Sequence, residues 1–227
     1  MKKYVYSLLG LIVLFSFLIT ALPIEAAKNQ KLKSVIRDNF NKYTNGSIVG
    51  QDGWFNRANG LPYVVQNIVV KKGKKALYNN NTGADSVITK TSSTALPNGK
   101  QSFWIRTENR SGWGNYNIGE NFQLGLFQGS WDGSSRATLA FMKDGYVAIL
   151  DTATDKYVNF DTYTDNRWTL IHAEWRMSDK TIRWRVNERV WTNWTPFVGS
   201  TSFTGFDTVG FVTFYLGSGG VYIDDLR

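Results

Sequence analysis

Between Asp38 and the end of the chain, no window carries the i, i+3, i+4, i+7 apolar spacing of an amphipathic helix. Short runs rich in Val, Ile, Phe, Tyr, Trp and Thr alternate instead with turn residues, the pattern of antiparallel strands. The clearest runs are Gln101–Thr107, Asn121–Phe127, Ala137–Met142, Tyr146–Leu150, Trp168–Arg176, Thr181–Val186 and Asp207–Leu216. Many short strands at regular spacing predict a single all-β domain, a sandwich or a barrel.

One hairpin can be predicted residue by residue, with its turn at Ser178-Asp179. The apolar pairs of this register are Trp175 with Ile182, Ala173 with Trp184 and Ile171 with Val186. The polar pairs are Glu174 with Arg183 and His172 with Arg185. Because apolar and polar residues separate cleanly onto the two faces, the register is favoured over its neighbours.

A second turn is predicted at Asn187-Glu188, where the chain leaves this hairpin. It places Trp191 on the apolar face, opposite Trp184, and Trp194 on the polar face. A second hairpin is indicated by Asp144-Gly145, a two-residue turn signal between two strand-like runs.

The residue counts exclude several kinds of site. The chain has no Cys and one His, His172, so a disulfide scaffold, a thiolate metal site and a multi-His metal site are impossible. Any catalytic scheme that needs an imidazole must use His172.

The first 27 residues have the three parts of a secretory signal peptide. Lys2 and Lys3 precede an uncharged apolar run from Leu8 to Leu22, and Ala26-Ala27 offers small residues for cleavage. The alternative is an uncleaved anchor, because the stretch from Val5 to Leu22 is 18 residues long and just sufficient to span a bilayer. Residues 28–37 are a polar lead-in and residues 38–227 the folded domain. We expect that domain to be secreted or held at the cell surface, without membrane contact after cleavage.

Three stretches resemble bacterial secreted domains of the concanavalin A-like lectin/glucanase superfamily, which includes laminin G-like jelly rolls. Residues 38–54 read DNFNKYTNGSIVGQDGW, residues 220–227 read GVYIDDLR, and Trp168–Arg176 with Thr181–Asn187 resembles the central hairpin. Glu188 stands where that hairpin commonly has Gly. The resemblance implies a two-sheet antiparallel β-sandwich, a jelly roll whose first and last strands lie side by side. Fold alone does not determine activity.

Catalytic residues of the superfamily are not matched. The glucanase branch uses E-x-D-x-E, which sets three carboxylates on one face of a strand, and no Glu after residue 27 has a carboxylate two residues away. Jelly-roll polysaccharide lyases offer another chemistry, in which a His acts beside arginines that hold a uronate. His172, Arg183 and Arg185 would take those roles, although Leu170 stands where the lyase motif Q-I-H has Gln.

Aromatic side chains are the candidates for binding sugar, because their rings stack on the apolar faces of pyranoses. We assign the tryptophans within strand patterns mainly to the core: Trp104, Trp168, Trp175, Trp184 and Trp191. The turn-rich segments RSGWGNYN and QGSWDGSS put their aromatics on loops. The predicted carbohydrate-binding residues are Trp113, Tyr116, Trp131, Trp194, Arg183 and Arg185.

A structural calcium is a further expectation, since calcium prefers carboxylate oxygens. The resemblance implies that it would lie between the first and last strands, held by Asp38 with Asp224 or Asp225. No other cofactor is expected.

The net charge of the domain indicates which class of ligand it attracts. Removing residues 1–27 takes away Lys2, Lys3 and Glu25, so the net charge falls from +8 to +7. Positive charge attracts acidic polymers, but no nucleic-acid motif is present. We therefore expect a monomeric, lectin-like domain that binds a polysaccharide, an acidic one included, without catalysis. The alternatives are a polysaccharide-degrading enzyme, a lyase before a glycoside hydrolase, and a structural or adhesive domain that binds protein.

Overall fold

The computed structural model describes residues 32–58, 63–83, 85–114, 120–129, 136–199 and 202–227. The segment at residues 1–27 and the loop aromatics Tyr116 and Trp131 lie outside these residues. Leu32–Arg227 forms one compact unit. Across the described ranges, no helix is both long and apolar enough to cross a membrane.

Fifteen strands are described, and a 3-10 turn spans Arg110–Gly112. The strands in chain order are β1 (Gly46–Ser47), β2 (Trp54–Asn56), β3 (Val64–Gln66), β4 (Ala76–Asn79), β5 (Ser86–Leu96), β6 (Asn98–Glu108), β7 (Glu120–Phe127), β8 (Arg136–Met142), β9 (Tyr146–Asp151), β10 (Lys156–Thr162), β11 (Trp168–Arg176), β12 (Thr181–Val186), β13 (Thr195–Pro196), β14 (Phe206–Thr213) and β15 (Gly220–Asp224).

These strands form two antiparallel sheets. The eight-stranded sheet has the order β1-β3-β4-β15-β6-β11-β12-β13, and the seven-stranded sheet has the order β10-β9-β8-β7-β14-β5-β2. The predicted all-β, two-sheet antiparallel sandwich is confirmed. Several strands were absent from the sequence prediction: the long strand β5, the strand β10 at one edge of the seven-stranded sheet, and the short strands β1 to β4 and β13.

The two predicted hairpins are present, although the loop between β8 and β9 has three residues, 143–145, and not the predicted two. In β11 and β12 the observed pairs run from Ile171 with Val186 to Arg176 with Thr181, the predicted register throughout. Between β8 and β9, Gly145 has φ +94°, a left-handed conformation that glycine adopts without a Cβ clash. Its N–H donates to the carbonyl of Met142 at 2.9 Å and closes the turn.

The core lies between the inner faces of the two sheets and is rich in aromatic rings. Phe211 of β14 is fully buried. Its ring lies 5.9 Å from Phe103 of the opposite sheet, 6.2 Å from Trp54 and 6.4 Å from Phe122. Trp175 and Phe206 join the sheets again at 5.5 Å. Such rings contribute packing energy beyond the area they bury.

The start and the end of the domain meet. Asp38 and Leu226 form an antiparallel bridge, with the Asp38 N–H donating to the Leu226 carbonyl at 3.0 Å and the Leu226 N–H donating back at 2.7 Å. Ser102 of β6 exchanges backbone hydrogen bonds with Arg227 next to it. The segments before the first strand and after the last strand thus meet through a single bridge. The strands β1 and β15 themselves are not neighbours, because β3 and β4 lie between them, so the side-by-side first and last strands implied by the resemblance are not present.

Replacing Phe211 with Ala should lower the free energy of unfolding by about 3–5 kcal/mol, because it leaves a cavity between the sheets. Urea unfolding followed by tryptophan fluorescence measures this. Phe55→Ala is the matched control, since Phe55 is 59% exposed and its loss should change stability by no more than about 0.5 kcal/mol. Equal effects of the two substitutions would contradict the assignment of the core.

Candidate functional site

The outer face of the eight-stranded sheet carries charged side chains on β11 and β12. Burial alternates along both strands, so the side chains between the buried positions point away from the core. On β11 these are His172, Glu174 and Arg176, and on β12 they are Arg183 and Arg185. His172 faces Arg185 and Glu174 faces Arg183, as predicted.

The segment after β12 returns along the sheet and adds two tryptophans to this face. The Thr192 N–H donates to the Trp184 carbonyl at 2.8 Å, and the Trp184 N–H donates to Thr192 Oγ1 at 3.0 Å. Thr192, not Trp191, is thus the residue opposite Trp184. A shift of one residue reverses the face, so Trp191 lies outside and the prediction that placed it in the core is wrong. Trp194 also lies outside, as predicted.

These tryptophans alternate with arginines in a continuous stack, here called the arginine–tryptophan ladder: Arg176, Trp194, Arg183, Trp191 and Arg185. The guanidinium carbons of Arg176 and Arg183 lie 4.2 and 4.6 Å from the centroid of Trp194. Those of Arg183 and Arg185 lie 4.6 and 4.8 Å from the centroid of Trp191. Each contact is a cation–π interaction, worth about 0.5–1 kcal/mol at an exposed site. Arg183 joins the two rings.

Each arginine of the ladder also has a carboxylate partner. Arg183 Nη2 lies 2.8 Å from Glu174, Arg185 Nη2 lies 3.0 Å from Glu188, and Arg176 Nη2 lies 2.6 Å from Asp179. The local charge is therefore nearly balanced. The face presents guanidinium N–H donors and carboxylate acceptors side by side, next to partly exposed aromatic rings.

Three nitrogen atoms at the base of the ladder are buried and make no hydrogen bond within the described part of the chain: Arg183 Nε, Arg185 Nε and His172 Nε2. His172 Nε2 lies 3.6 Å from Glu188, beyond hydrogen-bonding distance. Burial, reinforced by the positive charge of Arg185, lowers the pKa of His172 below its ordinary value. The lowered pKa favours the neutral form of the imidazole.

Two further tryptophans that the sequence analysis placed mainly in the core, Trp104 of β6 and Trp168 of β11, are also partly exposed on this outer face. The ammonium of Lys71 lies 4.1 Å from the centroid of Trp104. Trp175 and Trp184 are buried, as predicted. The period of two along each strand does indicate this outer face: Trp168 shares it with His172 and Glu174, and Trp104 shares it with Ser102 and Arg106. Assigning these indoles to the core by residue type alone was therefore wrong.

Trp113 does not join this surface. It follows the 3-10 turn, is 1% exposed and belongs to the main core cluster. A Cβ at Gly219 would lie 2.4 Å from Trp113 Nε1, so the indole packs directly on a glycine backbone. A sugar cannot stack on this ring while it is buried there.

Asp38, the first expected calcium ligand, is occupied by protein donors. One carboxylate oxygen accepts from the Phe40 N–H at 3.0 Å. The other accepts from the Tyr43 hydroxyl, from Trp54 Nε1 at 3.2 Å and from the Lys90 ammonium at 3.0 Å. A lysine therefore supplies the positive charge that a metal would supply.

Asp224 and Asp225, the other expected ligands, are occupied as well. Asp224 accepts from the backbone N–H groups of Lys71 and Lys72 at 2.9 and 2.8 Å and from that of Asp225 at 2.7 Å. Burial raises the pKa of Asp224 to about 6. Asp225 accepts from Arg227 Nε at 2.8 Å. No group of three or more metal-ligating side chains occurs among the residues described, so these aspartates do not fit a calcium site.

Comparisons with known proteins support the fold. No family model matches the sequence, and no curated protein matches it. Among solved structures, this chain is similar to a sialidase at 14% identity and a TM-score of 0.60, over 86% of this chain and 18% of the sialidase. It thus spans less than a fifth of that protein.

Two similar structures match over nearly their whole length. One is a carbohydrate esterase of a Shiga toxin-encoding bacteriophage, at 11% identity and a TM-score of 0.50, over 84% of this chain and 97% of the esterase. The other is the carbohydrate recognition domain of Emp46p in metal-free form, at 10% identity and a TM-score of 0.50, over 87% and 98%. The fold of this chain is concanavalin A-like.

Replacing Lys90 with Met should lower the free energy of unfolding by about 3–5 kcal/mol, because it leaves the buried carboxylate of Asp38 without its cation. Lys42→Met is the matched control. Both lysines pair with Asp52, but the Lys42 side chain is 56% exposed, and exposed pairs contribute at most about 1 kcal/mol. Chemical unfolding of both variants measures the difference.

The same measurement with and without millimolar calcium tests the metal. We expect the wild-type unfolding midpoint to stay constant, because the carboxylates already have partners. A midpoint that rises with calcium concentration would show binding to the native state and contradict this assignment.

Proposed function

We propose that this chain is a carbohydrate-binding domain that recognises a polysaccharide through the outer face of its eight-stranded sheet and does not cleave it. The observation that carries this proposal is the arginine–tryptophan ladder. Partly exposed indole rings can pack against the C–H faces of pyranoses, and the flanking guanidinium and carboxylate groups can bind the hydroxyls. The likeness in fold to a carbohydrate recognition domain agrees with this proposal.

The ladder is suited to hydroxyl groups. A sugar hydroxyl can accept a hydrogen bond from Arg183 or Arg185 and donate one to the paired Glu174 or Glu188. Because cation–π contacts and ion pairs hold these side chains in place, a ligand orders fewer of them on binding.

The charge of the ligand follows from the same pairs. Since Glu174, Glu188 and Asp179 balance the three arginines, the ladder favours an uncharged sugar. The acidic glycan suggested by the overall positive charge is the alternative. Screening distinguishes the two: binding to an acidic polymer weakens as salt rises, whereas binding to a neutral polymer barely changes.

Catalysis is a second candidate because the neutral form of His172 is favoured and His172 faces Arg185. A neutral imidazole beside a guanidinium is the arrangement that a lyase would use to remove a proton from a clamped uronate. Arg185 and His172, however, both lie against Glu188, whose charge opposes a second carboxylate. We therefore favour binding over lyase chemistry.

We propose that the domain works outside the cytoplasm, as a secreted or cell-surface protein. The proposal rests on the signal-like pattern of residues 1–27. An adhesive domain that binds protein would use the same location, so the ligand has to be tested directly.

Trp194→Ala and Trp191→Ala should each weaken polysaccharide binding by more than about 1 kcal/mol, as expected for aromatic anchors. Affinity electrophoresis through gels containing xylan, β-glucan, soluble starch or polygalacturonate measures the retardation. Phe55→Ala, which removes an exposed ring from the seven-stranded sheet, is the control and should migrate like the wild type. Retardation unchanged in both ladder variants would contradict the site, and free migration of the wild type in every gel would favour a protein ligand.

The His172→Ala variant should still bind the retained polymer. Neither the variant nor the wild type should shorten the polymer chains. Incubation of the wild type and the variant with that polymer, followed by ultraviolet absorbance for unsaturated ends, measures lyase activity. We expect no absorbance gain with either protein. A gain with the wild type that His172→Ala abolishes would establish the lyase alternative.

A further inference from the structure

We infer that the ligand is an extended polymer that crosses the strands of the eight-stranded sheet and contacts two separate aromatic surfaces on its outer face. The first surface is the arginine–tryptophan ladder. The second, here called the tyrosine row, consists of Tyr78, Tyr222, Arg106 and Trp168. The inference rests on the proposed function and specifies the class of carbohydrate.

The tyrosine row is a cross-strand line on four adjacent strands. Tyr78 of β4 pairs with Tyr222 of β15, Tyr222 with Arg106 of β6, and Arg106 with Trp168 of β11. The rings of Tyr78 and Tyr222 lie 4.5 Å apart, and Trp168 lies 6.5 Å from Tyr222. The guanidinium carbon of Arg106 is 5.6 Å from the Tyr222 centroid. Tyr78 and Trp168 are partly exposed on either side of the buried Tyr222.

Polar groups border the row as they border the ladder. The Tyr222 hydroxyl donates to Glu108 at 3.0 Å, and Arg106 Nη2 donates to Asn166 at 3.0 Å. Arg106 Nε, like the Nε atoms of Arg183 and Arg185, is buried without a hydrogen-bond partner among the described residues. Row and ladder thus share one composition: aromatic rings, a stacked arginine and an adjacent carboxylate.

Strand geometry sets the distance between the two surfaces. Tyr222 and Arg185 are separated by three strand spacings of about 4.8 Å, and Trp168 and His172 by four residues of about 3.3 Å along β11. The diagonal is therefore roughly 20 Å. A single sugar ring cannot contact both ends, whereas a polysaccharide chain can.

The path between the surfaces is also aromatic. Trp104 of β6 pairs with Leu170 of β11 and lies two residues along β6 from Arg106 of the tyrosine row, at the next position on the same face. His172 follows on β11 and faces Arg185 of the ladder. A chain that runs from Tyr78 past Trp104 to Trp191 meets partly exposed rings at both ends and near its middle.

Two surfaces that bind one polymer strengthen each other, because the second contact forms within the complex. The affinity should therefore rise with chain length until the oligosaccharide reaches both. Shorter oligosaccharides contact one surface at a time and gain nothing from the other.

Isothermal titration calorimetry with a length series of the polymer retained in the gels tests this inference. The probes are its oligosaccharides from the disaccharide to the octasaccharide. Trp168→Ala should weaken binding of the longest oligosaccharide by about tenfold or more. It should leave unchanged the affinity for the shortest oligosaccharide whose binding can be measured, because that ligand contacts the ladder alone. Trp191→Ala should weaken both. Tyr78→Ala is the second variant of the row, and unchanged binding of the short ligand shows that a row variant is folded.

Each other outcome has a defined meaning. If both row variants bind the longest chain like the wild type while Trp191→Ala weakens it, the two-surface inference is wrong and the proposed function stands. An equal loss for short and long ligands on Trp168→Ala would also overturn the inference. If sedimentation shows a wild-type dimer that Trp168→Ala dissociates without changing affinity, the row binds a second copy of the chain instead. Binding of no polymer at all would remove the proposed function itself.

Discussion

The burial of Trp175 and Trp184 determines the character of the opposite face of the sheet. Both indoles are 1% exposed in the core, and the period of two along a strand then requires every neighbouring side chain of β11 and β12 to point outward. A shift of one residue would expose both rings and bury Glu174 and Arg183, at a cost of many kcal/mol. The core thus holds the outward arginines in register.

The outward side chains contact residues 187–194, a segment whose path the register of the hairpin does not determine. The return of residues 187–194 brings Trp191 and Trp194 over the arginines of β12. Ordering long arginine side chains in water costs conformational entropy, and the stacked rings and paired carboxylates offset that cost within the protein. The result is a surface already organised before a ligand arrives, which distinguishes it from scattered surface charges.

The hairpin register was predictable because apolar and polar residues separate there onto opposite faces with no exception. The position of Trp191 was not. The predicted turn at Asn187-Glu188 is present, with the Arg189 N–H donating to the Val186 carbonyl at 3.2 Å, but one extra residue after it brings Thr192 opposite Trp184. The pairing of Asp38 with Lys90 was likewise hidden, since 52 residues separate the two and no local pattern joins them. Trp113 illustrates the same limit: its burial depends on Gly219, far along the chain.

The most direct test of the proposed glycan-binding face follows the indole N–H signals in a two-dimensional ¹H–¹⁵N spectrum during titration with the retained polysaccharide. Trp191→Phe and Trp194→Phe assign the signals of the ladder. We predict that these two signals shift with ligand, while those of the buried Trp175 and Trp184 stay in place. Shifts that leave both ladder signals unchanged and move other tryptophans would locate the ligand elsewhere and contradict the account.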